Sequence, residues 1–394
     1  MGAADFVIVG AGVEGLSIAW ALGSRGHGNV VVLERAVVGA GFTAKSSGII
    51  RCHYGVPSLA AMAWRSLQVL AESEDVLGAD IGFHQTGYLV GVGPENRAAL
   101  DANVAMQKGI GIDVSVIEPD DVAERVPHIR TDDFDAFAFE PGGGYADAYL
   151  TAAAFAQGAR RLGVEIRQGC EVRGLITSAG RVDGVVTADG DVLGAGCVVV
   201  AAGPWSAQLV AEVGVELPLR AQREQLMIVD TGDDLGPVPV LSDLVSLQYL
   251  RPELSHSLLL GNSDHAAPEW VDPDRYDNAL DHDRAGSSIE RFWHRFPTLC
   301  DAQLSSSYAG CYDVTPDYNP VIGPSPVDGL FLCAGFSGHG YKISPAVGAL
   351  AADLLCDGVS RNPDVDDTAF RLSRFEEGEP LVSPHPYLGA PEMR

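Results

Sequence analysis

Three glycines spaced as Gly10-x-Gly12-x-x-Gly15 sit between an apolar run at residues 6–9 and a second at 16–22. In that setting they describe a buried strand, a tight turn and a packed helix. Gly10 permits the turn, Gly12 lets a pyrophosphate approach the backbone, and Gly15 allows the helix to lie close to the strand. The helix N-terminus offers a positive dipole end to the phosphate charge. A further apolar run at 29–33 ends in Glu34, about 20 residues past the glycines, where an acid binds a ribose hydroxyl and repels a ribose phosphate. The implied chemistry is the holding of a dinucleotide; a glycine-rich turn without a ligand is the alternative.

Near the other end of the chain, Gly335, Gly338 and Gly340 surround His339 and precede Lys342. Backbone N–H groups can crowd a ligand there. The apolar run at 346–355 reads as a following helix whose N-terminus adds a positive dipole end. Lys342 stands out because lysine occurs only at 45, 108 and 342. Together the two stretches indicate one ligand gripped by both ends of the chain, with a merely flexible 338–340 loop as the alternative.

A chain of 394 residues, 46% hydrophobic, is long enough to bury a large core and to hold two domains. Its net charge of -27 opposes binding to nucleic acid or to an anionic membrane surface. Seven scattered cysteines without a CxxC pair read as reduced thiols of a cytoplasmic protein, not as a disulfide frame or a zinc site. The apolar N-terminus lacks a basic segment and is interrupted by Glu14, so it reads as fold and not as a signal peptide. No apolar run approaches the roughly 18 residues that a membrane helix needs, and a soluble protein is expected.

The elements that must position these residues follow from periodicity. Leu59, Met62, Leu67 and Leu70 predict a helix over 58–77, and 83–92 reads as a strand entering a different region. A helix at 149–162 precedes a strand at 164–166, and 171–176 with 181–187 alternates as a hairpin. The run from Cys197 ends in Ala202 and Gly203, small residues that let backbone approach a cofactor, so the chain returns there to the nucleotide side. Segments 225–229, 246–250 and 257–260 read as the sheet of a substrate domain. Ser287 and Glu290 match a capping box opening a helix over 289–295 that Pro297 ends. From 376 onward prolines are frequent and aliphatics few, which predicts a loose surface tail.

The glycine turn, Glu34 with Arg35, the 46–51 segment, Ala202-Gly203 with Trp205, the 315–323 segment and the 335–342 segment jointly resemble one family. It is that of the D-amino-acid-oxidase-like FAD amine oxidoreductases, within it the sarcosine oxidase and dimethylglycine dehydrogenase branch. The likeness spans nearly the whole chain. It implies a mixed α/β fold, with a Rossmann-like FAD-binding domain of the glutathione-reductase type interleaved with an antiparallel-sheet substrate domain. The implied partition is 1–80, 145–215 and 321–375 for FAD, 81–144 and 216–320 for substrate, and 376–394 as tail. Under the resemblance, Gly10, Gly12, Val13, Glu14, Gly15, Glu34 and Arg35 bind FAD at the first turn, joined by Ser46, Ser47 and Gly48. Val172, Ala202, Gly203 and Trp205 continue the site, and Gly310, Gly338, His339, Gly340, Tyr341 and Lys342 complete it around the flavin.

Carried across in the same way, Arg51 and Lys342 hold the carboxylate of a small amino-acid or amine substrate, Arg through paired hydrogen bonds and Lys as a point charge. Tyr312 and Tyr249 shape the pocket, and His53 is an available acid–base group, although a lone histidine is commonly structural. A protonated amine of pKa about 10.4 cannot lose hydride, and nearby cations with an apolar pocket favour its neutral form. The expected reaction is hydride transfer from the amine-bearing carbon to flavin N5, then imine hydrolysis, with oxygen or an electron carrier as acceptor. An N-alkylated amino acid is the leading substrate class. Glycine or proline through the same clamp, an NAD(P)H-dependent flavin monooxygenase, and a non-catalytic flavin subunit of an electron-transfer complex are the alternatives.

Two departures from the family pattern matter. Where relatives tether flavin through cysteine, this chain has Gly310, with Cys311 one residue on and therefore facing the other side of a strand, which implies non-covalent FAD. Where relatives carry an oxygen-activating lysine, it has Leu259, which weakens the oxidase reading.

Overall fold

The computed structural model describes residues 4–27 and 29–390. Runs that are apolar at every position can only be strands covered on both faces, the usual situation in parallel sheets. Ala4–Val9 is such a strand and lies centrally, Val9 standing opposite Leu33 of Val30–Leu33 on one side and Val200 of Val192–Val200 on the other. Leu330–Ala334 joins in parallel beyond Val192–Val200, Val321–Pro324 closes that edge antiparallel, and Glu165–Arg167 closes the opposite edge.

Side chains alternate between the two faces of this sheet. Ile8, Val32 and Val199 pack beneath the helices Val13–Ser24, Pro57–Ala71, Ala148–Arg161 and Gly340–Asp357. Val7, Val31 and Val198 point the other way, toward the hairpin of Val172–Ser178 and Arg181–Thr187 and toward the helix Ser206–Ala211. The cofactor-side turns are thus set at the ends of a sheet that is covered on both faces.

A second eight-stranded sheet runs Gln303–Val314, Arg220–Asp230, Ser257–Asn262, Gln248–Leu254, Val240–Asp243, Tyr88–Val92, Ala136–Glu140 and Ser115–Ile117. Its pairings are antiparallel except between Val240–Asp243 and Tyr88–Val92. One face packs through Leu89, Phe137, Met227, Leu258 and Leu260 against Phe292 and Phe296. Both phenylalanines lie at or just beyond the helix His282–Arg295. Its other face looks toward the ends of the parallel strands. No helix of the described residues is long and apolar enough to cross a membrane.

Several elements differ from the sequence expectation. The 58–77 helix is two helices, Pro57–Ala71 and Ser73–Val76, separated at Glu72, which leaves helical geometry with ψ of 31°. The strand expected over 83–92 is regular only in Tyr88–Val92. The capping box at Ser287 and Glu290 does not open a helix. The helix starts a turn and a half earlier, where the Asp281 side chain accepts from the N–H groups of Asp283 and Arg284. Asp283 and Arg284 obscure the apolar period of the first turn, so the later motif looked like the start.

Residues 376–390 are not a loose tail, and the last four residues of that expected segment lie outside the described ones. Leu381 N–H donates to Asp317 at 2.8 Å, Asn103 Nδ2 to His385 O at 3.0 Å, and Leu388 N–H to Asn96 Oδ1 at 2.8 Å. Tyr387 and Ala390 are buried. A few well-placed polar partners and one aromatic ring hold it where a count of aliphatics finds nothing to bury. Its root is the buried pair of Arg374 and Asp317, joined by two hydrogen bonds of 2.8 and 3.0 Å. Removing one member of a buried pair strands the other charge, at a cost of about 3–5 kcal/mol. Arg374→Met and Asp317→Asn are each expected to destabilise the protein by that amount in urea denaturation, and the double variant by less than their sum.

Candidate functional site

At the first turn Gly10 has φ of +107°, and a Cβ there would stand 2.4 Å from the Ala201 carbonyl oxygen. A Cβ on Gly15 would stand 2.1 Å from Gly10 O, so the helix lies directly on the turn. Glu34 accepts from Ala11 N–H at 2.9 Å and from Ala36 N–H at 2.8 Å. Two backbone donors therefore fix the carboxylate, and it keeps lone pairs for further donors such as sugar hydroxyls.

These groups border a cavity of about 640 Å³ that runs from the Glu34 turn to the face of the antiparallel sheet. Gly10, Gly12, Val13, Glu14, Glu34, Arg35, Ser46 and Ser47 line it on one side, with Val172, Ala202, Gly203 and Trp205. Gly310, Gly338, Gly340 and Tyr341 line its other end. Gly15 and Gly48 do not reach the cavity wall; Gly15 supports the first turn, and Gly48 O accepts from Ala146 N–H at 2.9 Å. Arg35 stacks over the Trp205 ring at 3.9 Å, and Phe42 stacks on the ring's plane at a centroid distance of 5.3 Å.

The residues present fit an extended dinucleotide. The volume lies within the ordinary range for ligand sites. Trp205 Nε1 and both Glu14 oxygens are buried without a hydrogen-bond partner, an arrangement native interiors avoid unless a ligand or water supplies one. The N-terminal ends of Val13–Ser24 and Gly340–Asp357 both border the space.

A smaller chamber of about 60 Å³ adjoins the cavity, sharing Ser47, Tyr249, Tyr312 and Gly338 with it. Arg51, His339 and Lys342 line this chamber. Arg51 is 7% exposed and Lys342 8%. Arg51 donates to His53 O and lies over the Tyr54 ring at 4.2 Å. Lys342 sits in the first turn of its helix, held well below the ordinary lysine range by burial and then by the Arg51 charge. Burial, then Lys342 and Arg51, likewise hold His339 well below the ordinary histidine range.

Two glycines make room for the tyrosines. A Cβ on Gly338 would come within 2.7 Å of the Tyr312 ring, and one on Gly261 within 2.0 Å of Tyr249. Both rings therefore lie flat against backbone at the chamber mouth, and burial raises the Tyr249 hydroxyl above its ordinary range.

His53 lines neither cavity. It lies behind Arg51, fully buried, with Nε2 2.7 Å from the Tyr387 hydroxyl, and burial followed by the Arg51 charge lowers it to about 3. Next to it Glu140 accepts from Cys52 N–H at 2.8 Å, and burial raises its carboxyl to about 7 against the pull of Arg51.

Cys311 stands opposite Arg223 in the strand pairing, and with Gly310 and Tyr312 it also borders the large cavity. Burial pushes its thiol up to about 12. Leu259 is buried and stands opposite Arg251 on the neighbouring strand. Arg251 donates to Ser47 O at 2.5 Å and pairs with Glu253 at 2.6 Å, and it lines neither cavity. Sequence reasoning missed His265, which lines the chamber with Nδ1 2.9 Å from Gln222 Nε2 and 3.4 Å from Glu224. The polar burst from Asn262 to His265 after an apolar strand was the available signal.

Comparison with known proteins accords with this geometry. The chain is 31% identical over 431 residues to FAD-dependent oxidoreductase domain-containing protein 1 of Xenopus laevis, covering 96% of this chain and 84% of that one. It is 28% identical to sarcosine oxidase subunit beta of an Arthrobacter species, covering 97% and 93%. Among solved structures it superposes on L-proline dehydrogenase from P. horikoshii with a TM-score of 0.87 at 26% identity, covering 96% and 99%. With residues 5–354 matching the family described as FAD dependent oxidoreductase, and with a cavity shaped for that dinucleotide, the chain belongs to this family of FAD-dependent oxidoreductases.

Proposed function

We propose that this oxidoreductase oxidises the C–N bond of a small amino acid bearing a secondary amine, an N-methylated one in the first instance. The observation that carries the reading is the convergence of Arg51 and Lys342, from separate elements and each less than a tenth exposed, on one small chamber beside the cofactor cavity. Two buried cations repel each other, and a carboxylate between them relieves that cost. The named relatives support a small amino acid, sarcosine for one and proline for another. Both carry a secondary amine. Proline is the second reading, favoured by the likeness to L-proline dehydrogenase.

Bound FAD supplies the acceptor for two electrons and a proton, taken together as hydride from the substrate carbon. The chain's residues set up that transfer. Arg51 and Lys342 orient the carboxylate, and their charge with the buried walls favours the neutral amine. The nitrogen lone pair forms the C=N bond as hydride leaves, and water later splits the imine into a carbonyl and an amine. Tyr249 and Tyr312 close the chamber mouth, His265 and Glu224 offer a polar pair beside it, and His53 stays neutral behind the clamp. FAD is held without a covalent bond under this reading, because Gly310, at the place of the tether in relatives, has no side chain.

Anaerobic mixing with sarcosine, dimethylglycine, proline or glycine is expected to bleach the flavin absorbance with a secondary amine first. Bleaching by NADPH alone would overturn the amine reading. Arg51→Ala is expected to raise KM by about 10- to 100-fold, from the 1.5–3 kcal/mol typical of hydrogen bonds to a charged group. The rate of reoxidation on admitting air separates oxygen from an electron carrier as acceptor. Acid precipitation should leave a yellow supernatant and a colourless pellet; a yellow pellet would mean a covalent link.

The clamp also has a pH dependence with a definite sign. Above about 7, Glu140 ionises and its negative charge offsets Arg51, so the attraction for an anion weakens. Acetate, which lacks an amine to confuse the titration, is expected to bind more weakly as pH rises through 7, followed by its perturbation of the flavin spectrum. Glu140→Gln should flatten that step.

A further inference from the structure

We propose that Glu14 meets bound FAD as a neutral carboxylic acid that donates its proton to an acceptor oxygen of the dinucleotide, which ties cofactor affinity to pH. The inference concerns the cofactor alone and does not rest on the substrate reading. Glu14 is the second residue of the helix Val13–Ser24 and lines the large cavity. Both of its carboxyl oxygens are buried without a hydrogen-bond partner. The fold makes room for the group: a Cβ on Gly340 would lie 2.6 Å from Oε1, so glycine there leaves the carboxyl its place.

The chain decides which of two neighbouring acids keeps its charge. Asp313 faces Glu14 from the strand Gln303–Val314 and accepts from Gly335 N–H at 2.7 Å, with the Phe336 and Ser337 N–H groups also favouring its ionised form. Asp313 therefore has donors and titrates at about 6 despite burial, while Glu14 has none and is raised well above the ordinary carboxyl range by burial and then by Asp313. Cys333, the third titratable group that faces it, is raised by burial and by both acids and stays a neutral thiol. An ionised Glu14 would add a donor-less charge to Asp313 and to the diphosphate of the ligand. A protonated one has an O–H that needs an acceptor, and the dinucleotide is rich in acceptor oxygens.

The experiment is FAD titration of the apoprotein by fluorescence quenching between pH 6 and pH 9, for the unaltered protein, Glu14→Gln and Glu14→Ala. Glutamine keeps the shape and a donor but cannot ionise. The expected result is a Kd for the unaltered protein that rises with pH, by up to tenfold per unit once Glu14 must be protonated to bind. Glu14→Gln should bind tightly with that slope removed, and Glu14→Ala should bind at least tenfold more weakly throughout. The infrared difference between the holoprotein and Glu14→Gln, taken at pH 8 or above to silence Glu140 and Asp313, should contain the band of a protonated carboxyl. Equal pH slopes for the unaltered protein and Glu14→Gln, or loss of FAD by Glu14→Gln as severe as by Glu14→Ala, would overturn the proposal. So would absence of the band. Failure of the unaltered protein to take up FAD at any pH would instead contradict the cofactor assignment itself.

Discussion

Two basic side chains, Arg51 and Lys342, crowded into one small chamber are the constraint around which the proposed substrate side is arranged. Arg51 is oriented by a backbone carbonyl and a tyrosine face, and Lys342 by the first turn of a long helix. Burying a cation costs several kcal/mol unless an anion compensates it. Glu140 lies close enough to Arg51 to feel its charge, and under the proposed function a substrate carboxylate would be a second such anion. Burial and Arg51 also push His53, behind the chamber, and His339, in its wall, away from their charged forms.

The cofactor side follows the opposite policy. There the chain offers backbone N–H groups, two helix N-termini and a carboxylate fixed by two donors. A dinucleotide brings its own charge and its own acceptors, which dipoles and hydrogen bonds can meet. Under the proposed function the small substrate is met by full charges instead. The two regions meet at Tyr249, Tyr312 and Gly338, where a missing side chain lets a ring lie against the backbone.

What could be read from the sequence was what is local. The turn of Gly10, Gly12 and Gly15 with Glu34 is a few residues of chain whose geometry is set by its own sterics, and the structure shows that turn. The strand beginning near Cys197 announced its approach to the turn through the small residues that end it, and Ala201 does lie against Gly10. What stayed hidden depended on register or on distant polar partners. His265 reaches the chamber because a strand end happens to deliver it. The Asp281 cap was masked by polar residues in the first helical turn. The segment after 376 was misread because hydrophobicity is a poor guide where hydrogen bonds to Asp317, Asn96 and Asn103 do the anchoring.

The position of Ala4–Val9 has a consequence for how the molecule assembles. This strand is made before its neighbours, yet it is flanked by Val30–Leu33 and Val192–Val200, and the next parallel neighbour, Leu330–Ala334, is made some hundreds of residues later. During synthesis the sheet therefore waits with an open apolar edge while most of the polypeptide emerges. Contacts so far apart in sequence close slowly, and an exposed strand edge invites pairing with the wrong partner. The architecture that lets both ends of the chain share one ligand thus leaves the nucleotide site incomplete until Leu330–Ala334 and the glycines after it have been made.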